Sequence, residues 1–100
     1  MALVFALYDS DDAYSEFWVN DTKVRLEKIE GPQRYVLRVC SPYMDELHTI
    51  TDRQATEILP QVFVSAGDKL DPGRPMVKAV ISAPRNIRLD RGVVRENAGN

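Results

Sequence analysis

The sequence predicts a mainly β (α+β) domain: a small antiparallel barrel or sandwich of six to seven short strands, with one short helix near residues 52–59. Three observations carry this. Apolar runs of strand length recur between clusters of turn-forming residues. The clearest of them alternate apolar and polar side chains, the period of a strand. Helical spacing is confined to a single stretch. One hundred residues make one domain, 1–100, with a modest core.

The first run, ALVFALY at 2–8, is continuously apolar and reads as a strand buried on both faces. Asp9, Ser10, Asp11 and Asp12 then form a loop. Residues 14–19 (YSEFWV) are aromatic-rich and strand-like, and alternation sends Phe17 and Trp18 to opposite faces, one into the core and one half-exposed. Asn20 and Asp21 suit a tight turn.

Residues 23–29 and 34–40 flank Glu30-Gly31-Pro32 and alternate on either side of it. Val24 and Leu26 share one face, as do Tyr35, Leu37 and Val39, so the pair reads as a β-hairpin. Pro42 closes it, because proline cannot donate to a ladder. Another strand follows at 46–50. Thr51 and Gln54 then have capping-box spacing, and Ala55, Ile58 and Leu59 form an i, i+3, i+4 stripe that Pro60 ends. That is the expected helix. Residues 61–65 and 76–82 read as strands around an exposed loop at 66–75, and 86–90 as the last strand before a frayed tail at 97–100.

Composition excludes several function classes. The apolar share of 44% and charged share of 28% belong to a folded protein, not a disordered one. Cys40 is the only cysteine, which excludes an internal disulfide and fits a reduced compartment. The first strand is too short to span a bilayer and lacks a basic leader, so the expectation is a cytoplasmic protein without a membrane segment. Glycines are dispersed, so there is no phosphate-cradling loop. The Asp9–Asp12 carboxylates lack the glycine and distal glutamate of a calcium loop, and no metal or cofactor is expected. His48 and Cys40 are the one thiol–imidazole combination available. Cys40 reads as a small core residue instead, so the protein is not expected to be an enzyme.

Charge is uneven. Before residue 51, five basic residues face nine acidic ones; after it, eight face six. From Arg74 to Arg95 six bases accompany only Asp90. Inside that basic stretch Pro84 ends one strand, holds Ala83 extended and redirects the chain. Ile87 and Leu89 then share a face, with Arg88 and Asp90 on the other and Arg91 at the end.

Residues 80–91 (VISAPRNIRLDR) resemble the C-terminal strands of the carbon storage regulator family of bacterial RNA-binding translational regulators. The shared pattern is an apolar strand, Ala-Pro, a basic residue, alternating apolar residues and an arginine. The resemblance implies a domain-swapped homodimer that binds GGA-containing RNA loops through Ile87, Leu89 and Arg91, with Arg85 and Arg88 beside them. The first strand here is apolar and then acidic, where that family carries basic residues.

Two readings follow. One is a small non-enzymatic RNA-binding regulator acting through the basic C-terminal strand. The other is a protein-interaction or inhibitor module of the phage or mobile-element type. It would dock a host protein through Asp9, Asp11, Asp12 and the neighbouring Trp18.

Overall fold

A computed structural model describes residues 2–9, 12–31, 33–68 and 75–94. The described residues form nine strands: β1 (Ala2–Tyr8), β2 (Glu16–Val19), β3 (Thr22–Gly31), β4 (Arg34–Ser41), β5 (Met44–Thr51), β6 (Thr56–Leu59), β7 (Val62–Ala66), β8 (Met76–Ser82) and β9 (Leu89–Arg91). Every pairing is antiparallel. One sheet has the order β1-β8-β7-β6, the other β5-β4-β3-β2-β9, and together they make a sandwich. The mainly β class read from the sequence is what the chain adopts.

Alternation places the core. Phe5 and Leu7 on β1, Val77, Ala79 and Ile81 on β8, and Val62 and Val64 on β7 face Phe17, Val24, Leu26, Tyr35, Leu37 and Val39 of the other sheet. Each fully buried side chain of this size contributes roughly 1.5–3 kcal/mol of transfer free energy. The two layers are also joined by a polar bond: the buried Tyr35 hydroxyl donates to the Lys78 carbonyl oxygen at 3.0 Å. The outer face of the five-stranded sheet carries ion pairs, with Arg38 bridging Glu27 (2.9 Å) and Asp45 (2.7 Å). These contacts hold the Arg38 guanidinium even more firmly protonated and the Glu27 carboxyl below its ordinary range.

Several elements differ from the sequence reading. The expected helix at 52–59 is absent: residues 52–54 bend, and Thr56–Leu59 is β6. Here the chain crosses from one sheet to the other. Pairing with β7 and burial of Ile58 outweigh a capping box worth about 1 kcal/mol. β1 buries one face only, leaving Ala2, Val4 and Ala6 exposed. β2 starts at Glu16, because Ala13–Ser15 form a single 3-10 turn. The last strand starts at Leu89, since Pro84 and Ile87 close a turn through an Ile87 N–H to Pro84 carbonyl bond of 3.1 Å. Cys40 is exposed rather than core. β7 extends to Ala66, and residues 69–74 of the expected loop lie outside the described residues, as does the tail.

One flank is crossed by the β5–β6 connection. On the other flank β1 and β9, the end strands of the two sheets, approach each other.

Candidate interaction cleft

Where β1 and β9 approach, the sandwich is open. A cleft of about 300 Å³ lies there, walled by Phe5, Leu7, Tyr8, Tyr14, Arg91 and Val94, with Glu16 contributing polar surface. Each wall has a local cause. Phe5 and Leu7 occupy the inward positions of β1. Phe5 meets Phe17 edge-on across the sheets at 5.8 Å. Tyr14 sits on the 3-10 turn, which Asp12 caps by accepting the Tyr14 backbone N–H at 3.0 Å. Its ring packs edge-on against Tyr8 at 6.2 Å and remains 56% exposed.

Arg91 pairs with Phe17, so its side chain takes the inward face of β9. It places the guanidinium 5.7 Å from the centre of the Phe5 ring, a cation–π contact at the rim. Gly92 permits this approach. A Cβ there would stand 2.9 Å from the Glu16 carbonyl oxygen, and closer still to the Ala13 carbonyl oxygen.

The five residues expected to bind nucleic acid do not form one surface. Arg85 is exposed on the turn after Pro84. Ile87 and Leu89 pack against the core, and Arg91 belongs to the cleft. Arg88 is ion-paired with Asp90 at 2.8 Å. Its backbone is held by Asn20: the Asn20 N–H donates to the Arg88 carbonyl at 2.8 Å, and the Arg88 N–H donates to Asn20 Oδ1 at 3.0 Å. Asn20 has φ 52°, a left-handed turn conformation that asparagine tolerates.

Of the expected protein-binding residues, Asp9 and Asp12 adjoin the cleft in sequence, through Tyr8 and Ala13. Asp11 lies outside the described residues. Trp18 is half-buried on the outer face of the five-stranded sheet, opposite Lys23 and Asp90, on the face away from Phe17. The ion pair to Asp90 therefore brings Arg88 towards the tryptophan, an association the sequence reading did not make.

Cys40 and His48 occupy opposite faces. Cys40 faces outward in register with Asp45, whereas His48 faces inward in register with Leu37. His48 lines a second groove, of about 380 Å³, between β5 and β6. Its Nε2 lies 3.3 Å from Glu46 Oε2 without alignment for a hydrogen bond. Among the described residues no group of three or more His, Cys, Asp or Glu could hold a metal ion, and no helix is long and apolar enough to cross a membrane.

Sequence reasoning missed the cleft, although a signal was present: Tyr8 and Tyr14 bracket the acidic loop. Comparison with protein-family models, curated proteins and solved structures finds no match.

Proposed function

We propose that this protein is a small, non-enzymatic binding module of the cytosol, and that it docks another polypeptide chain at the cleft between β1 and β9. The observation that carries this reading is the cleft itself: apolar and aromatic walls, exposed Tyr14 and Val94 at its mouth, and one cation, Arg91, at its rim. Aromatic side chains supply large contact area with few rotatable bonds, which suits them to anchor a partner. Asp9 and Asp12, both exposed, add negative charge next to the mouth. The separation of Cys40 from His48 by the sheet supports binding over thiol chemistry.

A photo-crosslinking amino acid at position 14 tests it in cells. Adducts with a polypeptide are expected there and not at Tyr43, which is 97% exposed on the β4–β5 turn. Equal adducts at both positions, or none at position 14, would overturn the reading.

A second reading, RNA binding, draws on one observation: half-exposed Trp18 lies across the ladder from Lys23 and from Asp90, the partner of Arg88. A half-exposed ring can stack a base, while Lys23 beside it and Arg88 beyond Asp90, now paired with Glu16 and Asp90, would turn to phosphate. Binding of GGA-hairpin RNA that weakens with salt and with Trp18→Ala or Arg88→Ala would favour it; salt-insensitive or absent binding would remove it.

A further inference from the structure

The four sheet edges are protected to very different degrees. β9 has three residues and carries Asp90 and Arg91. β6 has four, with a register shift between Glu57 and Leu59 and Pro60 immediately after. β5 carries Asp45 and Glu46. β1 has none of these devices. Its seven residues include no charge, proline or glycine, and it matches β8 without a register shift from Ala2–Ser82 to Tyr8–Met76. Regular, uncharged edges of this kind are templates for another strand.

We propose, resting on the reading of the cleft as a polypeptide site, that the chain docked there is a second copy of this protein. Its β1 pairs antiparallel with β1 about a two-fold axis through Phe5. The sequence of the strand is self-complementary in that register. Leu3 stands opposite the second copy's Leu7, Val4 opposite its Ala6, and Ala2 opposite its Tyr8. A two-fold axis brings identical strands together, so a charged edge would face its own charge. β1 has none to repel.

Opposed residues share a face, so the second copy's Leu3 falls beside Leu7 and into the cleft. A strand pair alone is small against the roughly 1,200 Å² of a stable interface. Tyr14 and Val94, both more than half exposed at the mouth, supply further apolar surface beside it. A foreign strand could use the same edge, but it would leave the internal symmetry of ALVFALY without a role.

Sedimentation velocity from low to high micromolar concentration reads the outcome, with circular dichroism to confirm folding. The wild type is expected to sediment as a dimer at high concentration. Val4→Lys with Ala6→Lys, both exposed positions, sets lysines opposite lysines and should weaken association by about tenfold or more. Val4→Lys with Ala6→Glu sets each new lysine opposite a new glutamate of the other copy and should restore the dimer. A wild type that stays monomeric overturns the proposal, as does a dimer indifferent to the double-lysine change or one that the charge swap fails to restore. If the monomer crosslinks from position 14 to a different protein, the second copy is excluded while the cleft reading stands.

Discussion

Tyr35 and Lys78 stand on different sheets, and the Tyr35 hydroxyl reaches through the core to the Lys78 carbonyl oxygen, 3.0 Å away. The same oxygen also accepts the Gly67 N–H at 3.0 Å. Tyr35→Phe therefore leaves that carbonyl with one partner, not none, and should cost about 1 kcal/mol at neutral pH. Burial pushes the phenol pKa well above its ordinary value of about 10. The unfolded chain can ionise where the folded chain cannot, so this contribution is complete below about pH 10 and is lost as pH rises beyond it. Urea titrations at neutral and alkaline pH should show a shallower alkaline loss in Tyr35→Phe than in the wild type.

Gly92 lets the chain after β9 lie against the start of β2. Gly92→Ala would push a methyl into the Ala13 and Glu16 backbone, which cannot move aside as a flexible side chain can. A loss of about 1–3 kcal/mol is expected. Gly31→Ala is the control, because the nearest atom to a Cβ there is 4.0 Å away and the backbone φ is not positive. Thermal unfolding of the two variants should separate them clearly.

Residues 85–88 divide into packing and surface. Ile87 packs against the core, so Ile87→Ala should destabilise by about 1–2 kcal/mol. Arg85 is exposed, and Arg85→Ala should stay within about 0.5 kcal/mol of the wild type. Denaturant midpoints measured side by side check both. A large loss for Arg85→Ala would mean that the turn depends on it.

Cys40 is exposed on the outer face, away from His48. The native protein should react with a thiol-specific disulfide reagent without prior unfolding, and its circular dichroism should not change. Protection of the thiol until denaturant is added would contradict the placement of β4.

The fold was legible where a strand's two faces differ. The β3–β4 hairpin shows this best: Val24, Leu26, Tyr35, Leu37 and Val39 stand at every second position and turn inward as their spacing says. It failed where local and long-range signals compete. The Thr51–Gln54 capping box and the Ile58 stripe describe a helix that would satisfy only its own turns. Pairing with β7 buries Ile58 in a core the local sequence does not display. Beyond the tyrosines that bracket the acidic loop, the cleft was hidden for a related reason. Phe5, Tyr14 and Arg91 are far apart in sequence, and only the β1–β8 and β2–β9 pairings bring them to one flank. Ile87 and Leu89 shared a face as the alternation suggested, but that face turned out to be the core side.

The pairing of Ala2 with Ser82 has a consequence for synthesis. β2 to β5 are successive neighbours in one sheet, so each can pair as soon as the next emerges from the ribosome. β1 cannot: among the described residues its hydrogen-bonded neighbour is β8, which follows only after β2 to β7. This uncharged, apolar strand thus waits until six more strands and β8 itself have been made before it can pair. While it waits, its apolar face is uncovered and its edge unpaired, the state in which a chain is most prone to associate wrongly.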